Sequence, residues 1–350
     1  MTGNLPILEL SYRKLQGLYG GTSAPQWDAA LECFVIMDPN IVRETLRSDA
    51  FAVRQHDEDL DAIQHAKGLD LGATIAFIKN SPLSNNGEAH RELKKQASQY
   101  LLQVANPALD AFEKTATSLV PQLLESKEPF DLVTDLVAPL ATSLFSGLSG
   151  LPETDFEPNT PAARCLTQLL SVNKQAFSPQ RLQAIDGHIR ERQQIVTGSD
   201  FERSLKLSFS TGTFELFKSA MANSLIFIIG RGAGRPICEI DFEAQLPVTS
   251  VPFVDRVCVR DVEVAGTPIH QNDKLVLLLG ALSRAPNSHN GYFGTGPHIC
   301  IGKVITERAW SVLRKILLER KECLCLKDVK YRDFDFALLA PVSAAVEVLR

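Results

Sequence analysis

Apolar residues along this chain of 350 residues recur mainly at helical spacing. Ile41 to Leu46 predicts a short helix, with an extended passage at Phe51 to Arg54. From Asn85 to Leu102, polar turn residues give way to a helical repeat of Leu93, Ala97, Tyr100 and Leu101. Leu109 to Ser126 predicts a second, separate amphipathic helix. Phe130 to Pro152 carries the stripe Leu132, Leu136, Leu140 and Leu144, with Asp131 as N-cap and Pro139 as a candidate kink. Pro158 to Gly198 reads as helical and increasingly polar. Leu205 to Ile229 sets Phe209, Phe214, Phe217, Met221, Leu225 and Ile228 in one long buried helix. The glycines of Gly230 to Gly234 then cap that helix. They lack the third spacing of a dinucleotide fingerprint, and Pro236 stands where a helix should open.

The period shortens in the last third of the chain. Val257 to Val264 alternates as a strand does, Ala265 to Thr267 turns, and Lys274 to Leu279 is a buried strand. A helical stripe returns at Val304, Ile305, Ala309, Val312, Leu313, Ile316 and Leu317, and Phe334 to Val348 predicts strands around Pro341. The expected fold is mainly α with small β-sheets (α+β), as one domain over residues 1–350.

Composition refines this only slightly. A chain that is 45% hydrophobic and 22% charged is ordinary for a globular protein. A net charge of −5 without a long like-charge block argues against a nucleic acid or a membrane surface as partner. No uninterrupted apolar run approaches the ~18 residues of a membrane span, and Met1 to Tyr19 lacks a signal-peptide core. The seven cysteines follow no disulfide rhythm, which suits a reducing cytoplasm. His56 and His65, among Asp57, Glu58, Asp59 and Asp61, lack ligand spacing on one face and read as a solvated acidic surface. His270 is expected to be solvated in a turn. Cys323 and Cys325 share a strand face and are expected to pack in the core.

The candidate chemistry sits in Phe293 to Gly302, Phe-Gly-Thr-Gly-Pro-His-Ile-Cys-Ile-Gly. Gly294 and Gly296 let the backbone turn sharply and approach a bulky ligand. The helix that follows sets its positive end beside Cys300, which is expected to lower the thiol pKa. This loop resembles the heme-ligand signature of the cytochrome P-450 family, matched at Phe293, Gly296, His298, Cys300 and Gly302.

The resemblance implies a cytochrome P-450-like fold, heme b as cofactor and Cys300 thiolate as the metal ligand. Gly294 and Gly302 would flank the cofactor, and Phe293 would pack near the sulfur. His90 and Lys94 share a helix face and match the family's propionate-binding positions, with Lys94 where an arginine is commoner. Arg256 and His298 complete that set. The family's oxygen-side helix falls on Leu205 to Ile229. Its usual acid–alcohol pair is absent in its usual order, since Phe214 takes the acid position and Glu215 the threonine position. Thr211, Thr213 and Glu215 are the candidates for proton relay; the alternative is that Ser210 to Thr213 is only a polar kink.

Two further departures stand out. The family's Glu-x-x-Arg has no match, since Leu246 follows Glu243 and Phe242 follows Glu239 at the arginine position. Ser283 to Pro286 resembles a remnant of the family's Asn-Arg-Asp-Pro, after which only Asn287 to Tyr292 stand in place of a long meander. The leading function implied is monooxygenase-type oxidation of a small organic substrate, with electrons from a separate ferredoxin- or flavodoxin-type donor docking near Lys94, Lys95 and Lys303. The alternatives are a peroxide-dependent or O2-independent heme-thiolate enzyme, and a degenerate non-catalytic heme-binding or partner protein.

Overall fold

A computed structural model describes residues 24–126, 128–156, 178–282, 291–332 and 338–349. The expectations for Met1 to Tyr19 and for Ser283 to Pro286 lie outside those residues, as do parts of those for 158–198, 287–292 and 334–348.

The chain opens with strands β1 (Gln26–Asp28) and β2 (Cys33–Ile36), helix α1 (Pro39–Arg47) and strand β3 (Phe51–Ala52). Asp38 starts α1 by accepting from the amides of Asn40 (2.9 Å) and Ile41 (3.1 Å), with Pro39 in the first turn, where no amide is needed. Helices α2 (His56–Lys67) and α3 (Gly72–Lys79) follow, then α4 (Gly87–Ser126). After β4 (Phe130–Asp131), a π-helical turn at Leu132–Val137 leads into α5 (Ala138–Ser149). Asp131 caps that turn through the amides of Val133 and Thr134, as expected. Helices α6 (Pro179–Ile195), α7 (Asp200–Ser210) and α8 (Gly212–Arg231) complete the helical half.

Strands β5 (Phe253–Cys258), β6 (Val262–Val264), β7 (Thr267–Ile269) and β8 (Lys274–Leu278) come next, with one helical turn at Leu279–Leu282. Helix α9 (Lys303–Leu318) and strands β9 (Cys323–Tyr331) and β10 (Pro341–Leu349) close the chain. A five-stranded sheet has the order β1-β2-β8-β5-β3, with β2 and β8 parallel; β4-β10-β9 and β6-β7 form two smaller sheets. The fold is helices with small sheets, as the sequence predicts. Its main core is built by α4, α5, α7, α8 and α9, and α2, α3 and α6 form a second.

Some elements differ from expectation. The two helices predicted at 85–102 and 109–126 are one, running through Pro107 and Pro121. Each proline removes a backbone bond. The stripe Ala108, Phe112, Ala116, Val120 and Leu124 nevertheless stays buried without a break, and Gly147 of α5 lets that helix come close, since a Cβ there would lie 2.8 Å from Ala108. Packing along a whole helix outweighs two local losses.

Conversely, the single helix predicted over 205–229 breaks at Thr211, whose φ of −129° and ψ of −96° are not helical. The hydroxyls of Ser210 and Thr211 both donate to the Leu207 carbonyl, at 3.1 and 2.7 Å, and compete with the backbone ladder there. His56 is not solvated: it is 4% exposed and lies 4.0 Å from Asp255 Oδ2, because Asp255 arrives on β5 from far along the chain. His65 and His270 are exposed. Cys323 and Cys325 are only half-buried, and Leu324 between them carries the core contact.

Among the described residues, one helical segment is long and apolar enough on average to cross a membrane. Leu132–Ser149 has a mean hydropathy of 1.4, and 67% of it is buried inside the protein. Asp135 and the hydroxyl residues break its apolar run in the sequence, and its place is in the core between α4 and α8.

Candidate functional site

The cysteine loop rests on the end of α1. Gly294 and Gly296 have φ of 69° and 74°. A Cβ at Gly296 would stand 2.5 Å from the Leu46 carbonyl oxygen, so only glycine suits both its conformation and its contact. Arg47 Nε donates to Thr295 Oγ1 at 2.9 Å and ties the loop to the same helix end. The Cys300 amide donates to the Phe293 carbonyl at 2.9 Å, which closes the loop on itself.

Helix α9 begins at Lys303, just after Cys300. Burial is the largest influence on the Cys300 thiol and pushes its pKa up. The amides of Gly302 and Lys303 and the charge of Lys94 act the other way. The expected helix-end effect is therefore present but outweighed, because the sulfur lies deep in the protein mass. As a residue Cys300 is nonetheless exposed.

Four basic side chains converge beside it. His90 Nδ1 lies 2.8 Å from the Pro82 carbonyl and Nε2 lies 3.1 Å from the Pro297 carbonyl; a neutral ring donates to only one of them. Lys94 Nζ donates to the carbonyls of Pro297 and, at 3.0 Å, Ile299. The rings of His90 and His298 are 3.8 Å apart. Burial pushes the His298 pKa down to about 3, helped by the neighbouring His90, Arg256 and Lys94. Arg256, 6% exposed on β5, donates to the Asp255 carbonyl at 2.6 Å; burial lowers its pKa against the pull of Asp255.

Thr211, Thr213 and Glu215 come together at the start of α8, where the Glu215 amide donates to the Thr211 carbonyl at 3.2 Å. Lys218 was missed in the sequence reading. Its Nζ bonds Glu215 Oε1 at 2.7 Å, and both side chains are buried. The available signal was a lysine three residues after a glutamate in an apolar helix. The Thr211 hydroxyl is committed to Leu207, and Thr213 is half-buried. Among the described residues, no hydrogen bond or ion pair joins this set to the Cys300 set.

The residues fit a flat group that carries an electrophilic metal and carboxylates. His298 Nδ1 is buried without a hydrogen-bond partner. Among the described residues, no carboxylate pairs with His90, Lys94 or His298. A buried polar atom left without a partner beside a lysine and an arginine suits an anionic group. Cys300, exposed as a residue, lies alongside them.

Comparison with known proteins agrees. The biotin biosynthesis cytochrome P450 of Bacillus subtilis (strain 168) is 21% identical over 328 residues, covering 73% of this chain and 81% of that protein. The crystal structure of P450BioI in complex with an acyl carrier protein ligated to hexadec-9Z-enoic acid superposes with a TM-score of 0.75 at 17% identity, covering 97% of this chain and 99% of the other. This is the cytochrome P-450 fold.

The chain therefore has the cytochrome P-450 fold, and its cysteine loop resembles the heme-ligand signature of that family at Phe293, Gly296, His298, Cys300 and Gly302. HmtN, a post-tailoring hydroxylase involved in himastatin biosynthesis, has the same fold, with a TM-score of 0.67 at 17% identity over 96% of this chain and 97% of that one. No family model matches the sequence.

Proposed function

We propose that the chain is a single heme b-binding domain that oxidises a small organic substrate in the manner of a monooxygenase, within secondary metabolism and in the cytoplasm. The observation that carries the proposal is the accessible Cys300 beside the anion-poor cluster of His90, Lys94, Arg256 and His298. Cys300 would ligate the iron, and the four basic residues would hold the propionates. Bound there, heme would supply the oxygen-activating chemistry that a thiolate ligand favours. The chain itself orients the ligand: Gly296 seats the loop on α1, and the amides of Gly302 and Lys303 stabilise negative charge on the sulfur. On the other side, Glu215 and Lys218 provide a buried carboxylate and ammonium that hold and pass a proton, with Thr211 and Thr213 beside them.

Electrons would come from a separate ferredoxin- or flavodoxin-type protein. Lys95 is exposed, and Lys303 is half-buried at the start of α9 next to Val304, which is 62% exposed. Lys94 is turned inward to the loop carbonyls and would serve the cofactor rather than the donor. The relative in complex with an acyl carrier protein makes a carrier-tethered substrate one form to test.

A second reading keeps heme and drops O2. It is favoured by Phe214, which packs on Phe145 and Phe156 in the position of the family's acid. The experiment is the absorption spectrum of the reduced carbon monoxide adduct. The proposal expects a Soret band at the thiolate-ligated position that is lost in Cys300→Ala, and an absence of heme uptake sinks both readings. Turnover with NAD(P)H and a redox partner, against turnover with peroxide alone, separates them.

A further inference from the structure

Two side chains of α9 reach back to the segment that precedes β5. Arg314 Nε donates to the Phe242 carbonyl at 2.7 Å, and Trp310 Nε1 donates to the Glu243 carbonyl at 3.1 Å. Trp310 is fully buried and its ring lies 6.4 Å from that of Phe242. The segment they grip is itself fixed. The amides of Ile237 and Cys238 donate to the carbonyls of Glu322 and Arg320, both at 2.9 Å. Ile240 presses on Gly232, where a Cβ would lie 2.5 Å from it. Phe242 and Leu246 are each 3% exposed in the main core.

Phe242 and Leu246 stand at the arginine position of Glu-x-x-Arg in its two registers. The guanidinium that meets this segment comes from α9, and it bonds the Phe242 backbone carbonyl rather than a glutamate. A helix is stiff along its axis, at about 1.5 Å per residue, so Arg314 acts about 17 Å along one rigid rod from Lys303, where α9 begins just after Cys300. The opposite face of the rod is tied by Arg308, which donates to Asn106 Oδ1 of α4 at 2.8 Å.

We propose that Trp310 and Arg314 are positioning residues that set the register of α9 and thereby the placement of the Cys300 sulfur ahead of its first turn. Only the spectral arm of the test rests on the heme-thiolate reading above. The full-length chain is purified with and without added hemin as wild type, Arg314→Met, Arg314→Lys, Trp310→Phe and Lys315→Met. Two quantities are read: the share of the reduced carbon monoxide adduct at the thiolate-ligated position, and the alkylation rate of Cys300 without hemin, resolved by peptide mass spectrometry.

Arg314→Met and Trp310→Phe are expected to raise the alkylation rate about threefold or more and to lower the thiolate-ligated share. Arg314→Lys should recover part of both, and Lys315→Met, at an exposed site on the same helix, should change neither. Folded Arg314→Met and Trp310→Phe proteins with wild-type alkylation and wild-type spectra overturn the proposal. If Arg314→Met does not fold, Arg314→Lys, which keeps the charge and stem and loses the Nε donor, is read together with Trp310→Phe, which loses the donor and part of the ring volume, and wild-type alkylation in both overturns the proposal. A wild-type chain that takes up no heme defeats the heme-thiolate reading, while the alkylation rates still decide the positioning role.

Discussion

Lys218→Met is the most informative single perturbation of the helix that begins at Thr211. Lys218 Nζ and Glu215 Oε1 are 2.7 Å apart, with side chains 3% and 2% exposed. Methionine keeps most of the lysine's length and packing but leaves the Glu215 carboxylate buried without its counter-ion. Breaking a buried pair in this way costs about 3–5 kcal/mol. For 350 residues at roughly 2.1 cal/mol/K each, the unfolding entropy is near 0.74 kcal/mol/K, so the melting temperature should fall by about 4–7 °C. The double variant Glu215→Leu/Lys218→Met removes both charges and should lie within about 1 kcal/mol of wild type. Thermal unfolding followed by circular dichroism, with urea unfolding as a second probe, gives the coupling energy, expected at about 2 kcal/mol or more. A single variant that melts within about 1 °C of wild type, or a double variant as damaged as the two singles summed, would refute the picture of a desolvated, mutually dependent pair.

Three further outcomes follow from the same geometry. Gly296→Ala should lose about 1–2 kcal/mol from its left-handed backbone alone and more from the contact with Leu46, read as a lower melting temperature and a release of the loop from α1 to proteolysis. Burial pushes the Tyr331 pKa up to about 12 from 10.0, so its neutral form contributes stability that is fully present below pH 10 and fades as pH rises towards 12; Tyr331→Phe should flatten melting temperature against pH in that window. Asp131→Ala removes a cap shared by Val133 and Thr134 and the acceptor of the Ala344 amide at 3.1 Å, and should cost about 1–2 kcal/mol in urea unfolding.

The cysteine loop was legible in the sequence because its chemistry is local. Gly294, Gly296, Cys300 and Gly302 act within ten consecutive residues, and left-handed conformations that favour glycine mark Gly294 and Gly296. His90 and Lys94 were legible for a similar reason, since residues four apart share a helix face. Helix and strand periods likewise follow from which side of each element meets water, so the class of fold was readable before any contact was known.

What the sequence left open depends on distant groups meeting. His90 and Pro297 touch across 207 residues, and Asp255 approaches the buried His56 of α2 from β5. Whether α4 passes through its prolines, and whether α7 parts from α8 at Thr211, was settled by packing and by competing hydrogen bonds that local propensity does not contain. Arg314 reads as one more surface cation on an amphipathic helix until the fold brings Phe242 beneath it. The direction of the Cys300 thiol's pKa shift is the same kind of quantity. The helix end beside it is written in the sequence, but the burial that outweighs it belongs to the tertiary structure, because desolvation sums over every atom the fold gathers around the sulfur.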